Sequence, residues 1–394
     1  MSLIYCDSFD QVKLFQMRTL PSEATTPLSI QNLGINGGNA LRMGQSSTGS
    51  AGGFQVDLLA NKTTVIMGGY FQLTADQASD TSSRNRFEIM ATYDENDELP
   101  QIRLAFDPAN RNFQIFRGTT LLATTAATGN LIDNIWRSFS WHYIELKVTH
   151  DDAAGLYEVR LNGKNILSDS GIDTKNSTHA YATHAVFGNC YTSSEDNFWM
   201  LDSCYVCDDA GAVNNDFLGA VKVQYLAPGA QGLYDYWQEY EVGSQLVAIN
   251  ESGDDDDDTS YIISPHANSP LGNKAVGDIS TFKNTTGIAE AAATIHAIAV
   301  NIVVRGTRER NETTRQVAAY YGHNKTYEQG AAVPLNGRAP YANSALSLFD
   351  RIRYGDVITS YYGYQWITET NVRTAAVWSV GDVTGIDFGV KLTA

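Results

Sequence analysis

WHYIELKVTH (141–150) and LYEVRLNGKNIL (156–167) decide the fold class of this chain. In the first, Ile144, Leu146 and Val148 alternate with Tyr143, Glu145 and Lys147, so an apolar and a polar set fall on opposite faces of an extended strand. In the second, Tyr157, Val159 and Leu161 share one face, and Asn162-Gly163 follows at once. A type I′ turn needs φ > 0 at both central residues, which Asn-Gly tolerates, so the run folds back as a β-hairpin. The result is an antiparallel meander.

The same grammar extends in both directions. VIMGGYFQL (65–73), NRFEIMATYD (85–94), QIRLAF (101–106) and NFQIFRG (112–118) are short β-rich runs divided by turn residues. Strands at this spacing predict a β-sandwich. At 394 residues the chain exceeds what one core usually supports, so two domains are expected. VQYLAPGAQGLYDY (223–236), with Pro228 and three glycines, separates two strand-rich halves, which gives domains 1–225 and 226–394. In the second half ATIHAIAVNIVVRG (293–306), RQVAAYYG (315–322), DVITSYYGYQ (356–365) and IDFGVKL (386–392) read as strands. GIAEAAATIHA (287–297) reads as a mixed turn, because β-branched residues follow its alanines. No periodic repeat relates the halves. The fold class is all-β: an N-terminal antiparallel sandwich, then a second, smaller β-sandwich.

Charge narrows the partners. Lys plus Arg number 27 against 44 Asp plus Glu, a formal charge of −17 that gives no general attraction for nucleic acid or anionic membrane. No run approaches the roughly 18 apolar residues of a membrane helix, so no membrane insertion is expected. The opening MSLIYCDSFD has neither a basic nor an apolar signal region, and a cytosolic origin is expected. The cysteines are Cys6, Cys190, Cys204 and Cys207. Cys204 and Cys207 have CxxC spacing, but FWMLDSCYVCDD reads as a strand, on which residues three apart face opposite ways; buried thiols are expected rather than a metal or redox pair.

Catalytic constellations were sought in the same way. A retaining glycosidase needs two carboxyls about 5–5.5 Å apart, which Glu-x-Asp-x-x-Glu on one strand would supply; the chain has no such motif. YDENDELP (93–100) reads as a loop without a rigid platform. There is no Gly-x-Ser-x-Gly elbow, and His142 and His150 have no evident Ser or Cys partner. His179 and His184 lie five apart in NSTHAYATHAVFG (176–188), with no carboxylate or thiolate close in sequence to complete a metal site. RGTRER (305–310) reads as a solvated turn. Asp254 to Asp258 lack the alternating ligands, central glycine and terminal Glu of an EF-hand loop, and read as a solvated hairpin loop rather than a calcium site. Trp136, Trp141, Trp199, Trp237, Trp366 and Trp378, with Tyr361, Tyr362 and Tyr364, could stack on sugars or pack in cores and interfaces. No catalytic residue, cofactor-binding residue or metal ligand is assigned, and no cofactor is expected.

IYCDSFD (4–10), WHYIELKV (141–148), YEVRLNGKNI (157–166) and DNFWMLDSCYVCDDAGAVNNDFLGAVKVQYLAP (196–228) resemble a concanavalin A-like (laminin G-type) sandwich, in the form found in structural proteins of tailed bacteriophages. The matching positions are Asp202, Tyr205 and Val206, then Asn214 to Gly219, then Pro228. Thr259 to Ile262 and the ending AAVWSVGDVTGIDFGVKLTA (375–394) resemble the C-terminal β-domain of that group. The resemblance implies a jelly-roll domain followed by a virion-assembly domain. It also implies a non-enzymatic part of the particle exterior, capsid decoration or head fibre, assembled in the host cytoplasm. Its partners would be other virion proteins, such as major capsid or tail proteins, and itself, as a homotrimer or other symmetric oligomer. The alternative is a tail-fibre or baseplate lectin-like module that binds host-surface glycan.

Overall fold

The computed structural model describes residues 2–10, 18–19, 29–35, 37–44, 53–73, 87–95, 99–107, 110–126, 140–188, 198–235, 238–240, 261–263, 279–284, 288, 292–305, 316–323, 326–329, 333–334, 361–384 and 386–392. The chain divides into two compact units, Met1–Gln224 and Tyr225–Ala394. Asp254 to Asp258, Cys190, Trp136 and Trp237 lie outside the described residues, as does all of RGTRER but Arg305.

The first unit begins with β1 (Leu3–Asp7), β2 (Arg18–Thr19), β3 (Ser29–Gln31), β4 (Ala40–Gly44) and β5 (Gly53–Lys62). It continues with β6 (Thr64–Leu73), β7 (Phe87–Tyr93), β8 (Ile102–Asp107), β9 (Asn112–Arg117) and β10 (Thr120–Thr124). It ends with β11 (His142–Thr149), β12 (Gly155–Leu161), β13 (Lys164–Ile172), β14 (Ala182–Gly188) and β15 (Phe198–Cys207). One sheet of eight strands runs β13-β12-β11-β6-β15-β4-β3, with β1 also on β15; the other, of seven, runs β10-β9-β8-β7-β14-β5-β2. Every pairing is antiparallel, as in β11 against β12. The fold is the antiparallel β-sandwich that the alternation predicts.

The alternating residues do what their pattern requires. Ile144, Leu146, Val148, Tyr157, Val159 and Leu161 enter one core with Val56, Met90, Leu104, Ile115 and Phe187 of the facing sheet. Burying a side chain of this size contributes about 1.5–3 kcal/mol, so this seam is the main source of the unit's stability. Asn162 and Gly163 have φ of 49° and 79°, the turn that joins β12 to β13. Cys204 and Cys207 lie on β15, both buried, the first in the core and the second facing away, with Sγ donating to Asp216 O at 3.9 Å.

The second unit contains β16 (Ala230–Asp235), β17 (Gln238–Tyr240), β18 (Tyr261–Ile263), β19 (Ile279–Lys283), β20 (Ile298–Arg305) and β21 (Gln316–His323). After these come β22 (Thr326–Gln329), β23 (Val333–Pro334), β24 (Tyr361–Thr368), α1 (Val380–Val383) and β25 (Ile386–Leu392). A six-stranded sheet runs β16-β19-β25-β21-β22, with β23 on β21, and β20 pairs separately with β24. Val300 of β20 shares a core with Ala319, Tyr321, Trp378, Ile386 and Val390, so the β20–β24 pair is packed against the larger sheet. Residues 292–297 form no regular element before β20 begins.

Candidate functional site

The outer face of the seven-stranded sheet carries polar side chains that are largely buried, beside an apolar cluster of Ala91, Tyr93 and Val186. Register fixes its rows. Asp57, His184 and Tyr93 are cross-strand neighbours on β5, β14 and β7. The next row holds Gln55, Val186, Ala91, Arg103, Phe116 and Leu121. Beyond it Ala105 pairs with Glu88 and Gln114, and Asp107 with Asn112. Gln55, Glu88, Gln114 and Phe116 are each 5% exposed or less.

Arg103 sits near the middle of this face. Its Nη1 is 3.4 Å from Glu88 Oε2, and its guanidinium carbon lies 4.7 Å from the centre of the Phe116 ring. Gln55 donates from Nε2 to Asp57 Oδ1 at 3.2 Å. Gln114 donates from Nε2 to Asp107 Oδ2 at 3.2 Å and Asn112 Oδ1 at 3.1 Å. Each amide is thereby oriented by a carboxylate, and Oε1 of both is left without a hydrogen bond. A buried acceptor in that state costs about 1–3 kcal/mol. Gln55 and Gln114 stand on strands four places apart in the sheet, about 19 Å.

Two imidazole–carboxylate pairs flank the face. His179 Nδ1 is 3.1 Å from Asp94 Oδ2, and its Nε2 is 3.4 Å from Glu95 Oε1. Tyr181 stacks on His179 at 4.9 Å and donates to Glu95 Oε1 at 2.8 Å. His184 Nε2 is 3.3 Å from Asp57 Oδ1, with Thr183 Oγ1 2.8 Å from its Nδ1. The expectation that these histidines lack carboxylates is therefore corrected: β14 lies between β7 and β5, which bring acids from 85 and 127 positions away (179 − 94 and 184 − 57). YDENDELP is corrected in part as well. Asp94 follows β7 directly, is 2% exposed, and accepts from Gln101 Nε2 at 3.4 Å. No group of three or more metal-binding side chains that could hold an ion occurs among the described residues.

A third constellation lies on the outer face of the eight-stranded sheet, where residues 208–224 form a strap after β15. Glu145 is 1% exposed, and its Oε1 accepts from Tyr205 Oη at 2.7 Å and Gly219 N at 2.9 Å. Leu218 N donates to Tyr205 Oη at 3.1 Å. Burial pushes the Glu145 carboxyl up from its ordinary range, partly offset by these hydrogen bonds. Lys147 Nζ meets Asp216 Oδ1 at 3.0 Å, and the Arg160 guanidinium lies 4.0 Å from the Phe217 ring centre. Tyr143, Glu145 and Lys147 form the polar set of the alternating strand, whose partners a linear reading does not reveal.

The sequence-flagged aromatics divide. Trp378 is core, 3% exposed, with Nε1 donating to Thr368 O at 3.2 Å. Trp366 packs against Tyr321 with ring centres 4.0 Å apart and planes tilted by 53°. Trp141 is half-buried just before β11, Trp199 lies on β15, and Tyr361, Tyr362 and Tyr364 lie on β24.

No protein-family model matches the sequence, and no curated protein matches it. Among solved structures the chain is similar to the alginate lyase Aly36B, at 14% identity over 43% of this chain and 80% of that one, TM-score 0.31. It is similar to a lectin from Bauhinia forficata in complex with GalNAc, at 11% identity over 52% and 98%, TM-score 0.34. It is also similar to Trypanosoma rangeli sialidase, at 14% identity over 43% of this chain and 25% of that one, TM-score 0.30.

Proposed function

We propose that this chain is a non-enzymatic structural component of the exterior of a tailed-phage particle, capsid decoration or head fibre, acting through protein–protein contacts. One observation supports the reading. The residues that carry the sequence resemblance build framework: Tyr205 takes Leu218 N on its hydroxyl, and Gly219 N closes on Glu145. On this reading these residues serve to finish the sandwich and lead the chain into the next unit, a structural role and not a chemical one. Purified particles reconstructed with and without the chain test it. Symmetric density that vanishes on deletion, with the chain present in many copies, is expected. Intact particles that lack the chain would end the proposal.

A second reading, recognition of host glycan, is favoured by the polar face of the seven-stranded sheet. Its amide and guanidinium side chains around the Arg103–Glu88 pair have the chemistry of hydroxyl recognition, and a glycan would have to uncover them to bind. A glycan array separates the readings: binding that Gln114→Leu or Arg103→Ala abolishes, with the fold retained, supports glycan recognition. Absence of binding across the array leaves the structural reading alone.

A further inference from the structure

We infer that the strap of residues 208–224 is a releasable tether, able to detach from the eight-stranded sheet as a unit while the sandwich beneath stays folded. Its attachment differs in kind from that of the strands. From Asp209 to Gln224 no strap residue is fully buried. Most contacts that hold it are polar: Asp208 on Lys62, Gly211 N on Ser2 Oγ, Gly219 N and Leu218 N on the Glu145–Tyr205 pair, Asp216 on Lys147, and Val223 N on Ser203 Oγ at 3.4 Å, with the half-buried Phe217 ring against Arg160. Asn214 and Gly219 have φ of 54° and 74°, so the backbone follows a path that the sheet contacts must maintain.

The sheet, by contrast, does not depend on the strap for its core. The Glu145 side of β11 faces the strap, while Ile144, Leu146 and Val148 face the opposite sheet and stay covered when the strap leaves. Segments with few buried apolar contacts and polar attachments open at far lower free energy than core strands. The strap runs directly into the second unit, which begins at Tyr225. Its release would add 16 residues (209–224) to the connection, up to about 50 Å of extended chain. Such a connection suits a part that must reach a partner at variable distance, and the inference holds whether or not the phage reading does.

Hydrogen exchange on the full chain tests this. Peptides covering 211–224 are expected to exchange at least a hundredfold faster than peptides of β11 and β15. Glu145→Gln and Tyr205→Phe should each speed strap exchange tenfold or more, with the strap still exchanging at least a hundredfold faster than β11–β12. Trypsin cleavage after Lys222 should accelerate in parallel. Strap amides that exchange only together with the sheet, in the unaltered chain or in the variants, would overturn the inference, since the strap would then be part of one cooperative fold.

Discussion

Gly68→Ala is expected to destabilise the first unit by about 1–2 kcal/mol through one identifiable contact. Gly68 pairs with both Glu145 on β11 and Tyr205 on β15, and the Tyr205 ring lies across it. A Cβ at this position would fall on Tyr205 Cε1, with Cζ at 2.9 Å and Cδ1 at 3.1 Å. The ring is 1% exposed and its hydroxyl is tied to Glu145 and Leu218, so two responses are available. If the ring stays, the sheet must yield, at about 1–3 kcal/mol for overpacking. If it moves, a hydrogen bond to a carboxylate is lost, at about 1.5–3 kcal/mol. Loss of a glycine from the unfolded chain returns about 0.4–1 kcal/mol. Cys204 and Cys207 are fully buried and supply the assay. Their labelling by a thiol reagent under native conditions reports opening of this unit alone, and a cost of about 1–2 kcal/mol raises the rate roughly 5- to 30-fold. In a Tyr205→Leu background the same glycine substitution should cost less than about 1 kcal/mol. An equal cost in both backgrounds would refute the contact as the cause.

Three other outcomes are expected. Burial raises the Asp7 carboxyl to about 6, so the folded state takes up a proton before the unfolded one, and this residue adds stability as pH falls from about 6 to 4. Burial lowers His150 to about 4, so the unfolded state protonates first and stability is lost as pH falls from about 6.5 to 4. The two effects oppose each other at about 3 kcal/mol apiece; urea midpoints at pH 7 and 4.5 should show a steeper acid loss for Asp7→Asn and a shallower one for His150→Phe. Trp378→Ala should cost the second unit about 3–5 kcal/mol, seen as early loss of its hydrogen-exchange protection while Cys204 and Cys207 stay unlabelled.

What could be read from the sequence depended on range. The fold class follows from period-two alternation and from Asn162-Gly163, whose meaning is complete within a few residues. A strand declares which of its faces is apolar, but its polar face says nothing about what meets it. Glu145 is legible as an outward residue of β11; that it is buried depends on Tyr205 and Gly219, 60 and 74 positions away. The histidine–carboxylate pairs were hidden for the same reason. His184 meets Asp57 only because β14 inserts beside β5, whose register slips between Asp57 and Lys62 with Leu59 at φ 62°. Such a bulge re-aims side chains and leaves no mark in the hydrophobic pattern.

The polar face of the seven-stranded sheet gave one signal that could have been followed. Gln55, Gln114 and Arg103 interrupt otherwise apolar strands at every second position, as do Asp57 and Asp107. In a sandwich with one wet face that pattern reads as solvent. Here Gln55 is 2% and Gln114 5% exposed, so alternation reported polarity correctly and exposure wrongly. Replacing Gln114 by Leu removes its bonds to Asp107 and Asn112 together with the unpaired oxygen; the loss and the relief offset, so thermal stability is expected to change by less than about 2 kcal/mol while whatever the face binds is lost. A loss of more than 2 kcal/mol would show instead that the amide belongs to the framework.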